Sequence, residues 1–187
     1  MSNNTTITIQ GVLSYPNLFT PQRNGLNGKD EYTVDILIDK SIDIKHINAA
    51  ISSAIEKKFG SDSSKYPKNL RLPLKDGDAK GTPEYAGKFY ITCKADAAKS
   101  KPIICDSSLQ PLQSPSDIQA GDTANVRVNF YAYDAKGNKG VSTGLQGVQL
   151  VKRTDTPFSG RPRNAEGMFE SFADDSYEME QSEDMFK

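Results

Sequence analysis

With 23 Lys+Arg against 24 Asp+Glu and 36% hydrophobic residues, the 187-residue chain has room for one domain and a tail, and too little for two full-sized domains. No stretch approaches the roughly 20 apolar residues that cross a bilayer, and Met1-Ser2-Asn3-Asn4 lacks the basic start and apolar run of a signal peptide. Two cysteines, Cys93 and Cys105, and one histidine, His46, supply neither the four ligands of a structural zinc site nor a disulfide framework. The expectation is a cytoplasmic protein with no metal and no other cofactor.

The near-neutral total hides a division of charge. Residues 165–187 hold eight acids (Glu166, Glu170, Asp174, Asp175, Glu178, Glu180, Glu183, Asp184) and one base, net -7, while the other 164 residues hold 22 bases and 16 acids, net +6. Like charges in a block repel and bury too little apolar area to offset the entropy of ordering. The pattern therefore reads as a polyanion-binding body, residues 1–164, with a solvated, disordered interaction tail. The plainer alternative is a solubilising tail with no partner.

In chain order, Thr5 to Phe19 alternates with Ile7 and Ile9 on one side, predicting a first strand that breaks at Pro16. Pro21 to Gly28 is rich in Gly, Asn and Pro and predicts a turn. Tyr32, Val34, Ile36 and Ile38 alternate with Thr33, Asp35, Leu37 and Asp39 as a second strand. Ile44, Ile47, Ile51, Ile55 and Phe59 recur at three or four residues, so a helix follows, capped by Ser41 or Asp43 and stopped by Gly60. Ser61 to Gly87 is too polar and interrupted for a regular element and reads as a long loop, a length that often serves function. Lys88 to Ala95 alternates strictly, Pro102 to Cys105 makes a short strand, and Asp106 to Gln119 is loop. Asp122 to Asp134 sends Val126, Val128, Phe130 and Ala132 to the core and Arg127, Asn129, Tyr131 and Tyr133 outward. After the turn Ala135–Gly140, Val141 to Val151 returns, with Gly144 and Gly147 allowing a bulge. Six strands and one helix after the second strand predict a mainly β, small closed barrel.

Catalytic patterns are scarce. His46 lies on a helix face without a partner serine or cysteine and reads as a surface residue. Asp76-Gly77-Asp78-Ala79-Lys80-Gly81 lacks the third acid and closing Glu of a calcium loop and reads as a turn. No phosphate-binding Gly-x-x-x-x-Gly-Lys-Ser/Thr loop is present. A metal-dependent DNA-processing enzyme would need scattered acids such as Asp35, Asp39, Asp106 and Asp134 to converge. The polar strand faces are more informative. Lys88, Tyr90 and Lys94 on one strand and Arg127, Asn129, Tyr131 and Tyr133 on another set aromatic rings among positive charges, the requirement of a single-strand binding surface. Lys99 and Lys101 extend the track, with Arg71, Lys75 and Lys80 in the long loop as further cations and Tyr15, Phe19 and Tyr85 as additional rings near loops. Tyr/Lys faces are also ordinary on antiparallel sheets, so a protein-interaction module on a β-barrel scaffold stays open as the other reading.

Several segments together resemble the phage-encoded single-stranded DNA-binding proteins with an OB-fold core and an acidic C-terminal tail. They are Leu13-Ser14-Tyr15-Pro16-Asn17-Leu18-Phe19, Tyr32-Thr33-Val34-Asp35-Ile36-Leu37-Ile38, Leu72-Pro73-Leu74-Lys75-Asp76-Gly77-Asp78, Pro83-Glu84-Tyr85-Ala86-Gly87, and Phe130-Tyr131-Ala132-Tyr133 followed by Gly137-Asn138-Lys139-Gly140. The resemblance implies a five-stranded barrel with added elements, no enzymatic activity, and a groove that holds single strands non-specifically during phage DNA replication, recombination and repair in the infected bacterial cell. It also implies that the tail, through Asp174, Asp175, Glu178, Glu180, Glu183, Asp184 and Phe186, competes with DNA and recruits replication proteins such as a DNA polymerase or helicase. Tails of this kind often finish on an aromatic residue, whereas here Lys187 follows Phe186. Oligomeric state stays open, a homo-oligomer included.

Overall fold

Period-two alternation becomes seven strands in the computed structural model, which describes residues 4–158. The elements are β1 (Thr6–Arg23), β2 (Asp30–Asp39), α1 (Lys45–Phe59), β3 (Leu74–Asp76), β4 (Lys88–Asp96), β5 (Ile103–Cys105), β6 (Thr123–Ala135) and β7 (Asn138–Lys152). Hydrogen bonding runs β3-β4-β2-β1-β6-β7-β5, and β4 also pairs in parallel with β7 at Lys94 and Gly144. That last pairing closes β1, β2, β4, β6 and β7 into a five-stranded barrel, an OB-fold, with β3 and β5 added outside it.

The interior follows the alternation. Ile9 and Leu13 of β1, Val34 and Ile36 of β2, Ile91 and Cys93 of β4, Val126, Val128 and Phe130 of β6, and Leu145 and Val148 of β7 are all buried. Each such side chain contributes roughly 1.5 to 3 kcal/mol relative to exposure. Helix α1 adds Ile47, Ile51 and Ile55 and packs mainly against β6. Its N-cap position is Ile44, without a side-chain cap, so neither Ser41 nor Asp43 caps the helix; Asp43, one position earlier, accepts the Lys45 N–H at 2.9 Å. Its end is Gly60, at φ 86°, whose N–H donates to the Glu56 carbonyl at 2.8 Å. Lys57 and Lys58 fall in the last turn, where the helix dipole favours cations.

The structure departs from the sequence reading in three places. The first strand does not break at Pro16 but continues to Arg23, through register shifts between Ser14 and Asn17 and between Asn17 and Gln22. Proline has no N–H for the ladder and is tolerated where an irregularity leaves that position unpaired. The expected turn therefore begins at Asn24, whose carbonyl accepts the Gly28 N–H at 2.8 Å, rather than at Pro21. Second, the segment after α1 is not a plain loop: it contains β3 and 3-10 turns at Ser63–Lys65, Gly77–Lys80 and Pro83–Tyr85. Three-residue strands carry no readable period. Third, residues 106–119 include a 3-10 turn, Pro115–Asp117, closed by a capping box of Ser114 and Asp117.

The long segment is a seam cover. The Arg71 N–H donates to the Lys139 carbonyl at 3.0 Å and the Arg71 carbonyl accepts the Val141 N–H at 2.8 Å, while β3 pairs on β4 from Leu74↔Ile91 to Asp76↔Phe89. It thus reaches from β7 to β4 where the barrel closure is thinnest. At the β6–β7 hairpin, Lys136 (φ 49°) and Gly137 (φ 81°) form the two-residue turn with positive φ at both positions that suits strand twist. The anticipated bulge is present: Arg127 faces Gly147 and Val128 faces Leu145, leaving Gln146 as the extra residue.

Gly11 marks the closest approach of β1 and β2. A Cβ there would sit 2.5 Å from Ile36 Cγ2 and 2.6 Å from the Leu37 carbonyl oxygen, whereas at Gly25 it would meet nothing within 4 Å. Gly11→Ala should cost about 1 to 3 kcal/mol by overpacking, seen as a fall of several degrees in Tm, roughly 2 to 4 °C per kcal/mol for a chain of this size. Gly25→Ala should leave Tm within a degree or so, and equal melting of the two variants would refute the tight crossing.

Candidate nucleic-acid interface

The outward faces of β2 and β4 meet by register: Thr33 beside Lys94, Asp35 beside Thr92, Leu37 beside Tyr90, Asp39 beside Lys88. Half of this surface is not open to solvent. Leu37 and Asp35 are buried although they point away from the barrel interior, because residues 74–85 fold back over them. Asp35 organises the cover. Its carboxylate accepts from the Tyr85 hydroxyl at 2.6 Å, the Thr92 hydroxyl at 2.6 Å and the Lys80 ammonium at 3.1 Å.

Rings gather around the ammonium of Lys80. It lies 4.0 Å from the Tyr85 ring centroid, 4.7 Å from Tyr90 and 5.5 Å from Tyr15. Tyr85 and Tyr90 pack edge to face at 5.2 Å, and Lys75, which pairs with Tyr90 across β3 and β4, places its ammonium 5.6 Å from that ring. Burial, then the hydrogen bond to Asp35, pushes the Tyr85 phenol up to about 12. Burial alone would lower the Lys80 ammonium, but its contacts with Tyr85 and Asp35 prevail and raise it, so it stays charged. Tyr15 takes φ 46° at the β1 irregularity and is 61% exposed. A non-glycine residue in the left-handed region costs about 1 to 3 kcal/mol and is often found at working sites.

A second concavity of about 520 Å³ opens at the β4–β7 seam. It is lined by Lys29, Lys94, Lys99, Asn129, Tyr131 and Gln146, among others. Tyr131 is 49% exposed there. Two acids temper the cations: Glu31 lies 3.7 Å from Lys94, and Asp96 pairs with Lys29 at 3.0 Å. Burial would raise the Glu31 carboxyl, but hydrogen bonds from Asn24 and Asn27 and the charge of Lys94 outweigh it and hold the group below its ordinary value. Lys94 and Tyr90 share one face of β4 four residues apart, roughly 13 Å at strand rise, so the two concavities are stations along one strand.

The residues singled out in the sequence divide accordingly. Tyr15, Tyr90, Lys75 and Lys80 come together at the first station, and Lys94, Lys99, Asn129 and Tyr131 at the second. Tyr85 is corrected: it is 0% exposed, so its ring has no free face for a base, and it supports Asp35 instead. Phe19 is partly buried and packs against the core. Tyr133 is half-buried, with its hydroxyl over Gly140 beside the Arg71 backbone. Arg127 falls outside both stations, beside Thr8, Ile103 and Gln149, while Lys88 and Lys101 stand at the end of β4 and in the loop before β5. Missed in the sequence were Asp35 and Thr92 as supports and Lys29 as a cation. Only the outward parity of Asp35 and Thr92 was available to mark them.

The acids that an enzyme would have to converge are each engaged separately. Asp35 holds the cover, Asp39 accepts from Ser41, Asp106 accepts the N–H groups of Ser108 and Gln110, and Asp134 pairs with Lys139 at 3.3 Å. Among the described residues no group of three or more His, Cys, Asp or Glu side chains is placed to hold a metal ion, and no helix is long and apolar enough to cross a membrane.

Comparison with known proteins gives a consistent picture. A family model described as the ssDNA-binding protein of Enterobacter phage Enc34 matches residues 5–186. Protein p50 of Acyrthosiphon pisum secondary endosymbiont phage 1 is 35% identical over 157 residues, 79% of this chain and 83% of its own length. In fold, the single-stranded DNA-binding protein of bacteriophage Enc34 in complex with ssDNA aligns with TM-score 0.68 at 23% identity, over 82% of this chain and 89% of that one. The single-stranded DNA-binding protein gp2.5 of bacteriophage T7 aligns with TM-score 0.56 at 20% identity, over 81% and 94%.

The Asp35 network has a titration signature. One tyrosine should ionise near pH 12, read by ultraviolet absorbance of the phenolate, and that step should vanish in Tyr85→Phe. Because the folded value lies above the ordinary 10.0, the stability that Tyr85 contributes is present in full below pH 10 and is lost as pH rises from 10 towards 12. A Tyr85→Phe variant with an unchanged alkaline titration would show that the hydroxyl is not held as described.

Proposed function

Since the chain belongs to the single-stranded DNA-binding protein family of Enterobacter phage Enc34, we propose that it binds single-stranded DNA without base-sequence selectivity and without catalysis. In the infected bacterial cell it would cover single strands during phage DNA replication, recombination and repair. The observation that carries the reading is that the solvent-exposed rings of Tyr15 and Tyr131 stand at two stations that also hold cations, Lys75 over the Tyr90 ring at the first and Lys94 and Lys99 at the second. Flat rings take base faces and cations take phosphates, and every nucleotide has both.

A polarisation titration with oligothymidine at several salt concentrations tests it. Tyr131→Ala and Tyr15→Ala should each weaken binding by roughly 1 to 3 kcal/mol with the fold intact. Lys94→Gln and Lys99→Gln should weaken all sequences alike and flatten the dependence of log K on log salt by about 0.7 each. A full-length protein whose affinity for oligothymidine ignores salt would overturn the reading and favour a protein-interaction scaffold.

The charge division supports a further part of the proposal. Residues 165–187, which lie outside the described residues along with the acids from Asp174 to Asp184 and Phe186, act as a tethered competitor for the cationic surface and as the contact for replication proteins such as a polymerase or helicase. Their removal changes the net charge from -1 to +6. The shortened protein should bind oligothymidine more tightly, with the largest gain at low salt, where screening is least. Weaker binding together with a lower Tm would instead make the segment part of the folded body.

A further inference from the structure

Lys80 counts, from sequence, among the cations of a phosphate track. Its surroundings give it another part. The ammonium is 3.1 Å from a carboxylate that is itself buried, and three tyrosine rings stand within 5.5 Å of it. Its side chain is 30% exposed. A phosphate that drew the ammonium away would leave Asp35 buried without its cation, a costly state. Lys75, by contrast, lies over the outer side of the same station, exposed and with no carboxylate within 4.0 Å among the described residues.

We propose that Lys80 is a positioning residue: held on Asp35, it fixes the rings of Tyr15 and Tyr90 for base stacking and makes no phosphate contact of its own. Both ring centroids lie within 5.5 Å of one nitrogen, hence no more than about 10 Å apart, so two neighbouring rings share a single strut. Tyr15 needs one. It leaves a strained irregularity at φ 46° and stands mostly in solvent, where a free side chain would explore several rotamers and lose that entropy on every stacking event. A desolvated ammonium against a ring face holds it by cation–π attraction. The inference rests on the single-strand reading and deepens it.

The test compares wild type, Lys80→Met, Lys80→Arg and Lys75→Met in oligothymidine titrations across a salt series. Lys80→Met should weaken binding about five- to tenfold at every salt concentration, the lower part of the range for losing a stacked base, with the slope of log K against log salt equal to wild type. Lys80→Arg should recover most of the affinity, and Lys75→Met should flatten the slope by about 0.7. Because Lys80→Met strands the Asp35 carboxylate, the pair is also measured as Lys80→Met with Asp35→Asn, where a neutral amide replaces the charge and the same pattern is expected. Flattening of the slope by Lys80→Met, or wild-type affinity in both Lys80 variants, would overturn the positioning role while leaving the DNA reading in place. Absence of salt-sensitive binding by the wild type would overturn both.

Discussion

A carboxylate on the outward face of a strand ordinarily points to water, and Asp35 does not. Burying an ion without partners costs far more than a folded chain can tolerate, so its three donors are a condition of the fold. One comes from the neighbouring strand, Thr92, and two from the segment between α1 and β4, Tyr85 and Lys80. That segment is polar and rich in glycine and proline, anchored by Tyr66, Leu70 and Leu74 against the core and by backbone pairing to β4 and β7. The charge beneath it adds a further hold, assisted at the far end by Lys40, whose ammonium meets Asp76 at 2.8 Å and Asp78 at 2.6 Å. The hydrogen bonds to the buried Asp35 carboxylate contribute about 1.5 to 3 kcal/mol each, and the exposed Lys40 pairs, screened by water, add less.

The barrel seam supplies the other constraint. Five strands must close, yet β4 and β7 pair at a single register position, Lys94 with Gly144. On one side of that pair, Arg71 and β3 bridge the gap by backbone hydrogen bonds. On the other, the chain leaves β4 and returns to β7 as β5, from Ile103↔Gly147 to Cys105↔Gln149, and the second concavity opens beside the pair with Tyr131 and three lysines on its walls. The same imperfect closure that the cover repairs at one end leaves a concavity at the other.

Much of the barrel was legible because alternation is enforced by burial: a one-residue slip in β6 would send Val126, Val128 and Phe130 to solvent. The same parity put Tyr90, Tyr131 and Lys94 outward. It failed where tertiary contacts, not period, decide the outcome. Pro16 reads as a break, and only the irregular register against β2 lets the strand continue past it. Leu74 to Asp76 is too short to show a pattern and becomes a strand because β4 offers an edge. Tyr85 and Lys80 read from sequence as a ring and a cation for DNA, since their part in the cover depends on Asp35, which lies 50 and 45 residues away. An outward carboxylate next to an outward threonine was the one trace that a partner was to be expected.

What the surface leaves unengaged sets what it can recognise. Groups suited to reading base edges are largely occupied with one another. Gln10, Asn125 and Gln149 form an amide ladder across β1, β6 and β7. The Asn129 side-chain carbonyl accepts from Thr5 and Thr6, Asn17 donates to Thr33, and Asn24 and Asn27 donate to Glu31. Thr92 is spent on Asp35. Specific base readout needs paired donors and acceptors held towards the edge of a base, and here most of those groups are bonded to a neighbour on the sheet instead. Ring faces and ammoniums remain, and they suit the features that all nucleotides have in common. The indifference to sequence proposed above would then follow from how the polar side chains satisfy each other.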